Sequence, residues 1–226
     1  MNSHKSLIQA RLRAPKAAAI AGIVFSVLMI ISLGHILLAL PDNLNESRVW
    51  LSAYGQRILL ALNLLPFAGI AFLWFMGVVH DRMGERQDRF LVTVFFGSGL
   101  LFLGLLFIFA AMSGSVILLY RSQENLQLGS GFYAFGITFA RNIMNIYVVR
   151  MAGVFMISTS SLFIRTQAIP RWIAFLGFGL ALLMLLRIGH IGRIGWVILS
   201  FPLWILLVSI YILIDNYRRQ SKIAAT

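Results

Sequence analysis

Four polar side chains lie inside an apolar stretch that is long enough to cross a bilayer. The stretch runs from Gly131 to Arg165, and it contains Arg141, Asn142, Asn145 and Arg150. The arginine guanidinium donates paired hydrogen bonds to phosphates and carboxylates, and an asparagine amide adds both a donor and an acceptor. Because an arginine at mid-bilayer costs at least ~2.5 kcal/mol, these residues are expected either to bind an anion or to anchor the helix at the interface.

More basic groups are predicted near the same membrane face. Arg187, His190 and Arg193 lie in a glycine-rich turn, and His35 lies near the outer end of the first apolar run. Few acids balance them, which indicates an anionic ligand such as a lipid phosphate or an organic carboxylate. The candidate ligand-binding residues are therefore Arg141, Asn145, Arg150, Arg187, His190, Arg193 and His35. The alternative is that these arginines are ordinary interfacial anchors that reach the headgroups.

The period of an α-helix places Thr138, Arg141, Asn142 and Asn145 on one side, and Arg150 on another stripe with Val154, Ser158, Ser161 and Arg165. Two geometries follow. In the one we favour from sequence, residues 132–147 lie at the outer interface, residues 148–164 span, and Arg150 reaches the headgroups. In the other, one helix about 33 residues long stands in the bundle and lines a polar cavity.

No motif for catalysis or for a cofactor is present. The chain has no cysteine, which excludes disulfides, cysteine zinc sites and iron–sulfur clusters. His35 and His190 are the candidate metal or haem ligands. No carboxylate is placed to orient either imidazole, so we expect neither metal nor cofactor. Without paired carboxylates or Ser-His pairs in the apolar runs, we do not expect an enzyme.

The composition predicts a membrane protein. Of the 226 residues, 60% are hydrophobic and 12% are charged, whereas a soluble domain carries about 25% charge. Runs of roughly 20 apolar residues cross a bilayer, and the chain has six candidates: 17–40, 57–79, 90–120, 132–164 with an amphipathic first part, 172–187 and 194–214. The predicted fold class is an all-α integral membrane protein with a six-transmembrane-helix bundle.

The distribution of basic residues predicts the orientation. With a cytoplasmic N-terminus, twelve of the 19 Lys and Arg residues fall on the cytoplasmic side and seven elsewhere, so both termini are expected in the cytoplasm. The domain organisation is then a basic segment at 1–16, one membrane domain at 17–215 and a basic tail at 216–226. The Lys and Arg residues that produce the net charge of +12 lie between apolar runs rather than on one polar face. A nucleic-acid partner is therefore not expected.

One loop carries a family resemblance. The segment GVVHDRMGER, residues 77–86, resembles the signature loop of the major facilitator superfamily between its second and third spans. That resemblance implies a gating loop with Asp81, Arg82, Gly84 and Arg86, and a transporter of half the usual size that works as a homodimer. Glu85 stands where the superfamily has a basic residue, and His80 where it has a small one.

A second resemblance is carried by the segment that begins in this loop. Residues 81–107, DRMGERQDRFLVTVFFGSGLLFLGLLF, look like a family of uncharacterised bacterial multi-pass membrane proteins, which implies the plasma (inner) membrane and no particular activity. From the sequence we therefore predict a protein that binds an anionic lipid or small anionic ligand near the outer leaflet, or that serves as a subunit of a larger membrane complex.

Overall fold

The computed structural model describes residues 2–39, 47–83, 88–122, 131–186 and 194–224, and its regular elements are all helical. In chain order they are α1 (Asn2–Ala39), α2 (Ser47–Met83), α3 (Arg89–Ser122), α4 (Gly131–Asn142), a π-helical turn (Ile143–Val148), α5 (Val149–Thr166), α6 (Arg171–Leu185), a 3-10 turn (Ile194–Leu199) and α7 (Ser200–Ala224). A tight turn before Pro170 joins α5 to α6, and in this turn Gln167 takes a left-handed conformation with φ 52°.

Within the described residues, five helical stretches are long and apolar enough to cross a membrane. They are Ala19–Leu37, Tyr54–Asp81, Arg89–Leu119, Phe135–Thr166 and Val197–Arg218, and they match five of the six predicted spans. The sixth predicted span corresponds to α6, which has 15 residues. At 1.5 Å per residue α6 is roughly 22 Å long, shorter than a hydrocarbon core of about 30 Å. The chain is thus an all-helical protein with multiple candidate membrane spans.

Neighbouring helices run antiparallel. α1 packs on α2 and α7, α3 packs on α4 and α5, and α5 packs on α6. Gly22 of α1 lies against Ser209 of α7, and Phe25 of α1 lies against Phe201, so the later part of α1 meets the earlier part of α7. The beginning of α1 and the end of α7 therefore lie at the same end of the bundle.

Phenylalanine rings fill the centre of the bundle. The ring of Phe72 in α2 is fully buried, and its centre lies 4.8 Å from that of Phe25, 5.5 Å from Phe102, 5.0 Å from Phe155 and 5.9 Å from Phe201. These four partners come from α1, α3, α5 and α7. Since aromatic pairs at such separations add to the stabilisation from burial alone, Phe72 joins five helices into one apolar core.

Small residues allow the remaining close contacts. On α1, a β-carbon at Gly22 would collide with Ser209 and with the Phe75 ring, and Ser26 donates to the Gly22 carbonyl at 2.7 Å. On the other side of the bundle, Gly177 of α6 lies against Ser160 and the Trp204 ring. Small residues at such contacts are typical of helices that pack closely against each other in a membrane.

Candidate anion-binding site

The polar residues singled out above lie on one long helix. α4, the π turn and α5 follow each other without a break from Gly131 to Thr166. This composite helix runs along α3 in a constant antiparallel register, with Gly136 against Val116 and Phe155 against Phe95. The structure therefore favours the single long helix over the geometry preferred from sequence, in which residues 132–147 lie flat at the interface.

A π turn in the middle of this helix changes which residues share a side. The backbone N–H of Val149 donates to the carbonyl of Met144, five residues earlier. In an α-helix five residues advance about 1.4 turns, whereas the i→i+5 bonding of a π turn brings residues five apart closer to the same side. Arg150, which follows Asn145 by five residues, is consequently turned toward the side that carries Asn145 and Arg141.

The buried side of the composite helix confirms this rotation. Gly136, Ala140, Met144, Val148 and Ala152 are all buried at a constant spacing of four residues. In a pure α-helix a spacing of four drifts around the helix axis. The wider π turn compensates for the drift, so the stripe continues to face the bundle.

The polar side of the composite helix is exposed along its first half. Arg141, Asn142 and Arg150 are exposed, and Asn145 is half-buried. In the predicted separate stripe, Ser158 is buried and donates to the carbonyl of Phe155 at 2.9 Å, whereas Ser161 is half-buried and Arg165 is exposed. Arg141, Asn145 and Arg150 thus form the polar stripe of this helix, although it lies on the bundle surface and not around an enclosed cavity.

This polar stripe begins where α6 ends. A β-carbon at Gly153 would meet the Leu185 side chain at 3.2 Å and the Ala181 carbonyl at 3.3 Å, so Gly153 faces the last turn of α6. Arg150 precedes Gly153 by three residues and lies on the same side of the helix, one turn further on. Leu186 is the C-cap of α6, and the side chain of Arg150 therefore projects beyond the carbonyl end of that helix.

The carbonyl end of a helix attracts cations because its last four C=O groups lack intrahelical partners. Within the part of the chain that the structure describes, no side chain forms an ion pair or hydrogen bond with Arg150 or Arg141. Side chains on a helix lean toward its N-terminus, which directs Arg150 toward Asn145. The guanidinium of Arg150 and the amide of Asn145 are both hydrogen-bond donors on the side of the helix that continues past the end of α6.

An ion pair fixes the other end of the composite helix. Arg165 donates to the carboxylate of Asp88 at 2.6 Å, and the second oxygen of Asp88 accepts from the backbone N–H of Phe90 at 3.0 Å. Asp88 thus caps α3 and clamps it to α5. Sequence analysis did not single out Asp88, although an aspartate immediately before an apolar run is a known helix-start signal.

The ion pair gives a reference for depth. Arg150 precedes Arg165 by about 15 residues, or roughly 22 Å along the helix, and Arg141 precedes it by about 24 residues, or roughly 36 Å. If the Asp88–Arg165 pair marks one boundary of a hydrocarbon core about 30 Å thick, Arg150 would lie within the core and Arg141 beyond it.

The other predicted ligand-binding residues are not brought to this stripe by the described structure. His35 is exposed on α1, and its Nδ1 lies 2.8 Å from the carbonyl of Ile31, one turn earlier. α1 packs on α2 and α7, away from α4. Arg187, His190 and Arg193 lie outside the described residues. Among the residues that were searched, no group of His, Asp and Glu could hold a metal ion.

The predicted gating loop is described only at its beginning. Asp81 is exposed near the end of α2, with one carboxylate oxygen 3.7 Å from Nδ1 of His80. The ring of His80 lies 5.2 Å from that of Phe96 on α3. The side chain of Arg82 and all of Gly84 and Arg86 lie outside the described residues, so the gating role of this loop stays a prediction.

Comparison with known proteins adds no family. No protein-family model, curated protein or solved structure matches this chain.

Proposed function

We propose that this protein is a binding protein of the plasma membrane that holds a phosphate or carboxylate group in the outer half of the bilayer. Arg150 and Asn145 are its central ligands, with Arg141 closer to the surface. Arg187, His190 and Arg193 follow α6 directly in sequence and are proposed to complete the set. The observation that supports this proposal is the exposed guanidinium of Arg150 next to the carbonyl end of α6, for which the described residues supply no partner.

The proposed depth of Arg150 in the bilayer favours an anionic partner. A charged side chain within the hydrocarbon core is costly, and intramembrane arginines therefore usually pair with another group. The described residues include three carboxylates, Asp81, Asp88 and Asp215, and all three lie at the opposite end of the bundle. An anion supplied from outside the chain would neutralise Arg150 at its own level, and the resulting charge-assisted hydrogen bonds are stronger than those between neutral groups.

The proposed topology places this site in the outer leaflet. α6 serves as a sixth, shortened crossing, and both termini are cytoplasmic. The antiparallel packing of α1 on α7 supports an even number of crossings. The excess of Lys and Arg at the Asp88 end supports a cytoplasmic position for that end, as in many bacterial inner-membrane proteins.

Native mass spectrometry of the detergent-purified protein tests this function. The probes are phosphatidylglycerol, soluble glycerol phosphate and zwitterionic phosphatidylcholine. We expect the wild type to retain at least one of the two anionic probes in preference to phosphatidylcholine. Arg150→Gln should weaken that retention at least about tenfold, because a hydrogen bond to a charged group contributes about 1.5–3 kcal/mol.

Arg57→Gln is the matched control. Arg57 is an exposed arginine on α2, and its neighbour Gly55 lies against Ile117 near the end of α3, so it occupies the same end of the bundle as α4. Its loss should change retention by less than about twofold, as expected for a surface charge that makes no specific contact. Equal retention of both anions by the wild type and Arg150→Gln would refute the proposed function.

A further inference from the structure

We infer that the ligand of this site is a membrane lipid that reaches Arg150 sideways from the outer leaflet, with its acyl chains lying along the exposed edge of α6. This inference rests on the proposed function and specifies its ligand: an anionic amphiphile rather than a soluble anion. Three features of the described residues lead to it.

The first feature is the length of α6. α6 is roughly 22 Å long and begins beside the Asp88 end of the bundle, where Trp172 in its first turn is 57% exposed. Its other end therefore lies inside the hydrocarbon core and not at the outer interface. Above that end, the side of α5 that packs on α6 continues into α4 as the polar stripe.

The second feature is an apolar edge that leads down from the stripe. Leu182 and Leu186 are one turn apart on α6, with the N–H of Leu186 donating to the carbonyl of Leu182 at 2.8 Å. Their side chains are 55% and 58% exposed. They lie at the end of α6 that faces Gly153, so acyl chains on this edge would run directly below a headgroup held by Arg150.

The third feature is the charge of the surroundings. Arg150 and Arg141 have no acidic partner among the described residues, which favours a ligand with a negative head. A lipid in the outer leaflet already has its head at the level of Arg141 and its chains in the core. It would reach Arg150 by a short displacement and would not need to leave the bilayer, whereas a soluble anion would have to enter hydrocarbon.

Photocrosslinking with a lipid that carries a diazirine in its acyl chain tests this inference. The probe is diazirine-labelled phosphatidylglycerol in vesicles that contain the full chain, and crosslinked peptides are mapped by mass spectrometry. We expect the main crosslinks on residues 175–186 of α6. In Arg150→Gln these crosslinks should fall at least about fivefold, while Arg57→Gln should leave them within about twofold.

A second variant tests the chain contact itself. Leu186→Ser removes apolar surface at an exposed position and is not expected to disturb folding. It should lower lipid retention a few-fold and leave retention of glycerol phosphate, where any is seen, unchanged.

Three results would overturn the inference: retention of glycerol phosphate equal to that of phosphatidylglycerol, Arg150-dependent crosslinks that map to helices other than α6, or crosslinks on α6 that persist in Arg150→Gln. In the first two cases the proposed anion site would still be supported, and only the assignment of a lipid as its ligand would be refuted. Loss of Arg150-dependent retention for both anionic probes would instead remove the proposed function.

Discussion

Arg165 and Asp88 form an ion pair with a 2.6 Å N–O distance that joins the last turn of α5 to the first residue before α3. The same helix carries Arg150 about 15 residues away, so the ion pair and the proposed anion site occupy the two ends of one rigid element.

Removal of the ion pair should destabilise the protein only slightly. The two side chains are 34% and 59% exposed, and exposed pairs are worth about 0.2–1 kcal/mol. We expect that coupling energy in a double-mutant cycle of Asp88→Asn and Arg165→Gln, measured by unfolding in detergent micelles. Asp88→Ala should cost about 1 kcal/mol more than Asp88→Asn, because it also removes the oxygen that caps α3. Equal stability of Asp88→Ala and Asp88→Asn would argue against the cap.

Gly177→Ala should destabilise the contact between α5, α6 and α7. Its β-carbon would lie 2.9 Å from the Trp204 ring and closer still to Ser160, and overpacking of this kind costs about 1–3 kcal/mol. Gly179→Ala is the control on the same helix, since no atom lies within 4 Å of its β-carbon. It should be neutral or stabilising by up to about 1 kcal/mol. Thermal unfolding distinguishes them, and a Gly177→Ala protein as stable as Gly179→Ala would contradict this packing.

Ser160→Ala supplies a second check on the same contact. The Ser160 hydroxyl is buried and has no hydrogen-bond partner among the described residues. Its removal alone should be neutral or stabilising, because an unsatisfied buried hydroxyl carries a desolvation cost. In the background of Gly177→Ala it should recover part of the lost stability.

Phe72→Ala should be among the most damaging single substitutions. Its ring is 0% exposed and contacts rings from four other helices, and loss of a buried phenylalanine costs about 3–5 kcal/mol. Phe67→Ala on the same helix removes a ring that is 63% exposed and should cost less than about 1 kcal/mol. Comparable losses in the two variants, by unfolding in micelles, would place the core elsewhere.

Single cysteines test the proposed topology. The chain has no cysteine, so Gln56→Cys, Asp81→Cys and Ser221→Cys each provide one thiol at an exposed position. A membrane-impermeant maleimide should label Gln56→Cys in intact cells, and the other two only after permeabilisation. Labelling of Ser221→Cys in intact cells would mean an odd number of crossings between Asp81 and Ser221.

Much of the helical architecture could be predicted from apolar run lengths, because a bilayer sets a minimum span. Five of six predicted runs became long helices within a few residues of their expected bounds. The central role of Phe72 could not be predicted, since its partners come from four separate helices and no local spacing identifies them.

The candidate site was only partly predictable. Arg141 and Asn145 lie on one side of the helix at the ordinary α-helical period, so the sequence alone predicts that they share this side. The position of Arg150 depends on a π turn, and a wheel with one fixed angle per residue cannot represent such a turn. The polar stripe begins beside the end of α6. The sequence predicts that end at residue 187, whereas the helix ends at Leu185.

The phenylalanine core has a consequence for passage across the membrane. Rings of Phe72, Phe102, Phe155 and Phe201, all fully buried, occupy the space where an axial water column would have to run between α2, α3, α5 and α7. A polar solute would find no wetted route through the middle of one chain without separating these rings. Polar molecules would therefore have to cross along the outside of the bundle or along an interface between two copies of the chain.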